Sequence, residues 1–260
     1  MTVHRSQLIE PMKPFLLSAF ILFSPFFPHS GFCEELQDRR AGNECVILLH
    51  GLGRTEQSMA KIKARLDKEG YQTVNYGYPS TEQNIQELAD THVSEAVNSC
   101  KKKSPDKIHF VTHSLGGILV RQYLQNHSIP NCGRVVMLSP PNKGSEIAEK
   151  LKDFFLYKSI TGPAGQQLGT SENSVPNTLS PIHVEVGVIT GNRSFDPWFS
   201  FMIEGDDDGK VSVEHARLEE MNDFLVVEST HPFIMRNPEV IDQIVFYLMN
   251  GKFKRIDGKR

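Results

Sequence analysis

The segment KIHFVTHSLGG, residues 107–117, constrains the fold of this chain more than any other part of its sequence. A short run typical of a buried strand leads into Ser114, and apolar residues then recur at helical spacing. These apolar residues are Ile118, Leu119, Val120, Tyr123 and Leu124. A serine in a sharp strand-to-helix turn has its hydroxyl lifted clear of the backbone, and the small residues Gly116 and Gly117 let strand and helix pass close together. The pattern favours a nucleophilic serine, although a serine that only caps the helix fits it as well.

Segments with strand and helix patterns alternate along the rest of the chain. Short apolar runs predict strands at residues 44–49, 72–78, 133–139, 184–190 and 224–228. Helices are predicted at residues 58–69, from a capping box at Ser80 and Gln83 onward, at residues 146–157, and after Asn237. This alternation predicts an α/β fold with a mostly parallel central sheet and helices on both faces. Active residues of such a fold collect at the carboxyl ends of its strands.

Two stretches lack the periodicity of a helix or a strand. Residues 158–182 are rich in Gly, Ser, Pro and Thr, and a stretch of that length without its own structure is often a functional lid. Residues 195–203 form a predicted loop in which large apolar side chains are crowded together. These are Phe195, Trp198, Phe199, Phe201 and Met202. We expect some of them to be exposed, because so many cannot all point inward.

The first 33 residues are predicted to be a secretory signal peptide, with the folded domain at residues 34–260. Arg5 and Lys13 precede a proline-broken apolar run that is too short for a comfortable membrane span. Cleavage is expected before Glu34, and Met12 is an alternative start. A lipoprotein anchor on Cys33 is a weaker hypothesis. A signal of this kind implies a bacterial periplasmic or secreted protein.

Charge and cysteine usage exclude several classes of protein. The 28 lysines and arginines nearly balance the 31 acidic residues, so no nucleic-acid partner is expected. An exported chain folds in an oxidising compartment. Loss of Cys33 would leave Cys45, Cys100 and Cys132, which contain no C-x-x-C spacing. We therefore expect no metal site, but one disulfide and one free thiol.

The turn around Ser114 resembles the G-x-S-x-G nucleophile elbow of α/β-hydrolase lipases and esterases. Thr112 stands where glycine is usual in that family, and a β-branched residue is expected to crowd the turn. The resemblance implies an α/β-hydrolase fold with Ser114 as the nucleophile.

A second resemblance lies at His50-Gly51, directly after the apolar run 44–49. In this family the amide after the H-G pair and the amide after the nucleophile together form the oxyanion hole. The resemblance implies Leu52 and Leu115 as these two donors. His50 itself is expected to shape its loop by hydrogen bonding.

The family order of serine, acid and histidine implies the catalytic base. Only two histidines lie beyond the acidic turn at residues 204–209, and His215 falls within a predicted helix. His231 follows the last predicted strand, where the family has its base. His231 is therefore the expected partner of Ser114.

The family pattern for the acid is an aspartate followed three residues later by a packed valine, which Asp208 and Val211 match. Asp206 and Asp207 do not fit that register, and we expect them to belong to a solvated acidic loop. A calcium ion held there is the alternative, although no full set of ligands can be identified.

In the same family, the start of the strand at residues 44–49 and the end of the helix before the elbow strand are near neighbours. The resemblance implies a disulfide between Cys45 and Cys100. Cys132 also opens a strand at this edge of the sheet, so it is the alternative partner.

The resemblance implies a serine hydrolase that cleaves carboxylic esters through an acyl-enzyme and needs no cofactor. A small-molecule or lipid ester is the expected substrate, and transient contact with a membrane surface is one option. Trp198, Phe199 and Phe154 are the candidate substrate-binding residues, with core packing as the alternative role. An acyltransferase with the same triad, or a binding or assembly protein that keeps the hydrolase fold, are the competing hypotheses.

Overall fold

The computed structural model describes residues 42–255, so the expected signal peptide lies outside the described residues. Six strands form one sheet in which every neighbouring pair is parallel. The strands are β1 (Glu44–Leu49), β2 (Gln72–Tyr76), β3 (Lys107–His113), β4 (Cys132–Leu138), β5 (Val186–Gly191) and β6 (Asp223–Val227). Their spatial order is β2-β1-β3-β4-β5-β6. The predicted α/β class with a parallel central sheet is confirmed.

Helices connect the strands and cover both faces of the sheet. In chain order they are α1 (Ala60–Lys68), α2 (Ile85–Leu88), α3 (Ser94–Lys101), α4 (Leu115–Asn126), α5 (Glu146–Leu151), α6 (Phe155–Gln166), α7 (Val175–Thr178), α8 (Pro197–Met202), α9 (Val213–Ala216) and α10 (Pro238–Asn250). A π-helical turn (Ala89–Val93) joins α2 to α3. None of the helices among residues 42–255 is long and apolar enough to cross a bilayer.

The four inner strands β1, β3, β4 and β5 are largely buried on both faces, which explains their apolar runs, whereas the edge strands β2 and β6 are only partly buried. On β1, Ile47 and Leu49 pack on the face covered by α3 and α4, whereas Val46 and Leu48 pack on the face covered by α1 and α10. Each fully buried side chain of this size contributes about 1.5–3 kcal/mol of transfer free energy. The two cores hold the carboxyl ends of the strands at one edge of the sheet.

The capping box predicted at Ser80 and Gln83 lies four residues further along the chain. Asn84 accepts a hydrogen bond from the Glu87 amide at 2.9 Å, and the Glu87 carboxylate accepts one from the Asn84 amide at 3.2 Å. Ser80 is buried instead, and its hydroxyl accepts a hydrogen bond from the Gly53 amide at 2.9 Å. Both Ser80 and Asn84 fit the sequence pattern of a capping residue, and tertiary packing decides that Asn84 caps the helix.

The prediction of one continuous helix at residues 146–157 is wrong, because two separate helices, α5 and α6, occupy this segment. The backbone at Phe154 is extended, and its side chain and those of Phe155 and Leu156 are exposed. The α5 residues Ile147 and Ala148 are buried against the core. The residues that follow α5 have no core to pack against, so the helix does not continue in its original direction.

The prediction that residues 158–182 lack their own structure is also wrong. Most of α6 and all of α7 lie within them. Gly162, with φ of +61°, kinks α6 before Pro163, and this kink masked the helical pattern. A Cβ on residue 162 would lie only 1.7 Å from the Thr81 carbonyl oxygen, so the kinked segment packs directly on the loop before α2.

The predicted loop at residues 195–203 contains the short helix α8. Asp196 caps it by accepting a hydrogen bond from the Trp198 amide at 3.1 Å, and Pro197 occupies its first position. Both features are typical of a helix N-terminus. Phe195, Trp198 and Phe201 are exposed, as the crowding of this segment predicts.

A disulfide joins Cys45, in β1, to Cys100, in α3, with the two Cα atoms 5.9 Å apart. Cys132, at the start of β4, is the free thiol among the described residues. This is the pairing that the family resemblance implies.

Candidate active site

Ser114 lies in a strained turn between β3 and α4. Its φ of +52° and ψ of −120° are rare for a residue with a side chain and cost on the order of 1–3 kcal/mol. A Cβ on residue 116 would lie 2.7 Å from the Leu49 carbonyl oxygen, so only glycine lets α4 pass the end of β1. A Cβ on residue 51 would lie 2.7 Å from the His113 ring. The two glycines allow the two strand ends to meet around the serine hydroxyl.

Thr112 occupies the first position of the elbow without blocking it. Its side chain is fully buried, and its hydroxyl oxygen lies 3.3 Å from the place where a Cβ of residue 117 would be. The expected crowding is therefore relieved by the absence of a side chain at Gly117. The second glycine after the serine compensates for the missing glycine before it.

Three side chains from distant parts of the chain form a continuous line of hydrogen bonds. His231 Nδ1 lies 2.8 Å from Asp208 Oδ2, and His231 Nε2 lies 3.1 Å from Ser114 Oγ. An ionised carboxylate can only accept, so the proton is on Nδ1, and Nε2 is left as the acceptor for the serine hydroxyl. The arrangement has the geometry of a nucleophile, a base and an orienting acid.

Asp208 is held in this position by the turn that follows it. Its Oδ1 accepts hydrogen bonds from the amides of Lys210 and Val211, each at 3.0 Å, and its side chain is buried. The His231 amide donates to the Asp208 carbonyl oxygen at 2.9 Å. The three-residue spacing between Asp208 and Val211, on which the prediction of this aspartate rests, corresponds to a hydrogen bond between the two residues.

The expectation that Asp207 belongs to a solvated loop is wrong. Asp207 is buried, and its Oδ1 accepts hydrogen bonds from the Gly209 amide at 2.6 Å and from the Ser200 hydroxyl at 3.0 Å. Asp207 therefore ties α8 to the acidic turn. Between residues 42 and 255 no group of three or more Asp, Glu, His or Cys side chains is arranged to hold a metal ion.

The two amides expected to bind an oxyanion lie beside Ser114. Within the described part of the chain, no protein acceptor takes a hydrogen bond from the Leu115 or Leu52 amide. The Leu52 loop is braced by Ser80, as described above, and by His50. One nitrogen of the buried His50 ring donates to the Gly51 carbonyl oxygen at 2.9 Å, and the other accepts from the Tyr78 amide at 3.3 Å. Burial lowers the pKa of His50, and the ring shapes the loop as expected.

His113 is a member of this site that the sequence analysis missed. Its Nε2–H donates to the carbonyl oxygen of His231 at 3.1 Å, and the two ring centroids are 4.9 Å apart. Burial holds the pKa of His113 well below its ordinary value of 6.5, with a further contribution from the nearby His231. A histidine directly before the nucleophile was the available indication. The ring is thus a neutral support beneath the loop that carries His231.

A cavity of about 350 Å³ opens beside the Ser114 hydroxyl. Its walls are mainly apolar and come from Leu52, Ile147, Leu151, Tyr157, Ile160, Leu168, Phe199 and Val211. Of the three candidate substrate-binding residues, only Phe199 lines it. Trp198 and Phe154 do not line it, and their side chains are 80% and 62% exposed.

Two cations also line the cavity, Lys210 and Arg54. The Lys210 Nζ lies 3.4 Å from the centroid of the Phe199 ring. Burial lowers the pKa of Lys210, against the opposing effect of the carboxylates of Asp196 and Asp208. Neither cation was singled out from the sequence, because a lysine or arginine in a loop carries no local mark of a cavity.

One known protein family matches the half of the chain that contains Ser114. Residues 45–177, just over half of the chain, match the family described as palmitoyl protein thioesterase. Ser114, Leu52 and Leu115 lie inside this match, whereas Asp208 and His231 lie outside it. No curated protein sequence matches the chain.

Solved structures resemble the fold over about three quarters or more of the chain, at low sequence identity. A lipase from Bacillus licheniformis, BlEst2 in its mature form, has a TM-score of 0.61 and 17% identity over 78% of this chain and 91% of its own. A metagenomic carboxyl esterase, MGS0156, has a TM-score of 0.58 and 18% identity, over 75% of this chain and 66% of its own. The Rhodococcus esterase RhEst1 has a TM-score of 0.51 and 15% identity, over 80% of this chain and 90% of its own. These likenesses concern the fold.

Proposed function

The chain is an α/β-hydrolase that belongs to the palmitoyl protein thioesterase family, and on that premise we propose that it hydrolyses acyl esters through an acyl-enzyme on Ser114. One observation carries the proposal: the strained Ser114 is hydrogen-bonded through His231 to the buried Asp208. A serine hydroxyl is a weak nucleophile at neutral pH, and this line of groups supplies the base and its orienting acid.

In the proposed reaction, Ser114 Oγ attacks the acyl carbon while His231 Nε2 takes the hydroxyl proton. The oxygen that becomes negatively charged accepts hydrogen bonds from the amides of Leu52 and Leu115, each contributing roughly 3 kcal/mol to the transition state. The C–O bond to the leaving alcohol then breaks, and His231 delivers the proton to that alcohol. Asp208 stabilises the imidazolium formed in between.

Water completes the turnover by the same steps in reverse order. It attacks the acyl carbon of the Ser114 ester, His231 takes one of its protons, and the second tetrahedral intermediate expels Ser114. The proton returns from His231 to the serine oxygen, and a carboxylic acid is released. No cofactor enters this scheme.

The apolar cavity supports a substrate with an alkyl chain. Each methylene buried against its walls contributes about 0.8 kcal/mol. The kinked helix α6 supplies Tyr157 and Ile160, and α5 supplies Ile147 and Leu151. We propose that this α5–α6 segment covers the acyl chain. The lid expected from the sequence at residues 158–182 overlaps it only in α6.

A second candidate activity is thioester hydrolysis, which the description of the matching family favours. The same serine, base and amides would act, with a thiol as leaving group. An acyltransferase would differ only in replacing water by an alcohol. The ratio of free acid to transferred acyl product, measured with glycerol present, separates hydrolysis from transfer.

We also propose that the protein is exported. The Cys45–Cys100 disulfide supports an oxidising compartment, because such bonds are rare in the cytosol. Fractionation of the host cell, with detection of the processed amino terminus, tests this location.

The decisive experiment for the activity is labelling of the purified protein with a fluorophosphonate probe, followed by peptide mass spectrometry. We expect a single label on Ser114, none on Ser114→Ala, and release of acid from p-nitrophenyl butyrate by the wild type only. A wild-type protein that takes up no label and cleaves no ester would make the chain a binding protein with a hydrolase fold.

A further inference from the structure

The cavity beside Ser114 combines apolar walls with two cations, Lys210 and Arg54, neither of which forms a direct ion pair among the described residues. Within residues 42–255, no carboxylate oxygen lies within 4.0 Å of the Lys210 ammonium or the Arg54 guanidinium. Both residues line the cavity that contains Ser114 and His231. Arg54 is exposed, whereas Lys210 is partly buried and has Asp196 and Asp208 only as more distant carboxylates. A partly buried charge without a direct partner is stabilised by a bound anion.

Lys210 is the more enclosed of the two, and its surroundings are unusual for a lysine. Its ammonium rests on the ring of Phe199 at 3.4 Å, which is a favourable but incomplete substitute for an anion. Its backbone is fixed on both sides, because its amide donates to Asp208 at 3.0 Å and its carbonyl oxygen accepts from the Ser145 hydroxyl at 2.8 Å. The backbone that carries this side chain is therefore fixed beside the cavity.

The two cations reach the cavity from different strands. Arg54 follows β1, in the loop that carries the Leu52 amide, and Lys210 follows β5. The strand β3, which carries Ser114, lies between β1 and β5 in the sheet. An anionic group bound near Ser114 would thus be approached from both sides.

The position of Lys210 also indicates which end of the substrate it meets. The leaving alcohol receives its proton from His231, so it must lie on the His231 side of the acyl carbon. Lys210 is two residues beyond Asp208, the hydrogen-bond partner of His231. The apolar walls from α5 and α6 remain for the acyl chain.

We propose that the substrate is an acyl ester whose alcohol part carries a phosphate close to the ester bond, as in a lysophospholipid, and that Lys210 and Arg54 bind that phosphate. A guanidinium and an ammonium suit phosphate oxygens well. This inference rests on the proposed ester hydrolysis at Ser114 and adds the chemical class of the alcohol. A neutral glyceride offers the two cations no anion.

The test compares two decanoyl esters of glycerol, decanoyl lysophosphatidylglycerol and monodecanoylglycerol, both kept below their micelle-forming concentrations. The wild type should hydrolyse the phosphate ester with a kcat/KM about tenfold higher, mainly through a lower KM. Lys210→Met keeps the aliphatic stem without the charge and should bring the ratio of the two kcat/KM values close to one. Arg54→Gln should lower the ratio less, because Arg54 is exposed.

Lys252→Met is the matched control, since it removes the same charge from an exposed residue beyond α10 and should keep the wild-type ratio. A wild type that prefers monodecanoylglycerol, or a Lys210→Met variant that keeps the preference, overturns the inference. In either case the proposed hydrolysis survives. Failure of the wild type on both esters and on p-nitrophenyl butyrate instead overturns the proposed function, and the inference with it.

Discussion

Two histidines in this fold each lie against a carboxylate, at opposite ends of the central sheet. At the carboxyl end, His231 Nδ1 lies 2.8 Å from Asp208 and its Nε2 lies 3.1 Å from the Ser114 hydroxyl. At the amino end, His109 Nε2 lies 3.2 Å from Glu44, and its Nδ1 accepts a hydrogen bond from the Arg134 amide at 2.8 Å. The two pairs differ in what the second nitrogen contacts.

That difference separates the proposed base, His231, from a structural residue. The second nitrogen of His231 faces a hydroxyl that can give up its proton. The second nitrogen of His109 is occupied by a backbone amide, in the irregular part of the β3–β4 pairing, and its ring packs where a side chain of Gly133 would be. His109 thus links β1, β3 and β4. A histidine–carboxylate pair by itself does not identify an active site.

Cavity size does not identify the site either. The cavity beside His109 measures about 530 Å³, larger than the one of about 350 Å³ beside Ser114. Its lining mixes Lys107, Arg134 and Glu185 with the half-buried thiol of Cys132, whose pKa burial raises to about 11. A thiol with a raised pKa is a poor nucleophile. The chemistry of the lining residues, rather than the volume, distinguishes the two ends.

The largest expected effect separates the two histidines by turnover. His231→Gln should lower kcat/KM for p-nitrophenyl butyrate by about 10⁴-fold, because Ser114 loses its base. The matched variant His109→Gln should keep turnover near the wild-type value and lower the melting temperature instead, since it disturbs buried hydrogen bonds. Steady-state kinetics and thermal unfolding of both variants check this. A His109 variant that folds normally but loses turnover would contradict the comparison.

The next effect concerns the disulfide at the amino end of β1. Replacing both Cys45 and Cys100 by serine should lower the free energy of unfolding by up to about 4 kcal/mol, because the bond closes a loop with a sequence separation of 55 residues. Urea unfolding measures the loss, and esterase activity at low temperature should persist. Cys132→Ser is the control and should have a much smaller effect.

Peptide mapping without reduction tests the pairing itself. A peptide linking Cys45 to Cys100 is expected. A peptide linking Cys45 to Cys132 would refute the pairing and would make the amino end of the sheet different from the structure described here.

The smallest effect is a dependence of stability on pH. The hydrogen bond from His109 is the main cause that lowers the pKa of Glu44 below its ordinary 4.5. The unfolded chain therefore binds more protons at this carboxyl, so Glu44 contributes stability above pH 4.5 that is lost as the pH falls through its lower folded value. Glu44→Gln and His109→Gln should each flatten the acid dependence of the unfolding midpoint. An unchanged slope in both variants would show that this pair does not contribute.

Several elements followed directly from the sequence. The turn at Ser114 could be predicted because a positive-φ serine between a strand and a helix needs small neighbours, and Gly116 meets that need locally. The strands could be predicted because a parallel sheet buried on both faces demands continuous apolar runs. The family resemblance could distinguish Asp208 from its neighbours, because the three-residue spacing to Val211 corresponds to a hydrogen bond between the Val211 amide and the Asp208 carboxylate.

Other features depended on contacts between segments far apart in the chain. The kink of α6 at Gly162 is determined by the carbonyl oxygen of Thr81, and the choice of Asn84 over Ser80 as helix cap by a hydrogen bond that Ser80 makes to Gly53. Phe199 lines the cavity while its neighbour Trp198 is exposed, because a single short helix can turn only one side toward the site.

The sequence by itself therefore determined the order of the strands along the chain and the strained turn at Ser114, since each depends on residues a few positions apart. Asp208 was expected only through the family resemblance. Only the tertiary structure decided that His113 supports His231, that both ring nitrogens of His109 have partners, and that Lys210 lies in the cavity beside Ser114 without a direct ion pair. The reason is physical. A backbone conformation is set by its immediate neighbours, whereas the role of a histidine or a lysine is set by whichever groups the folded chain brings within about 4 Å of it.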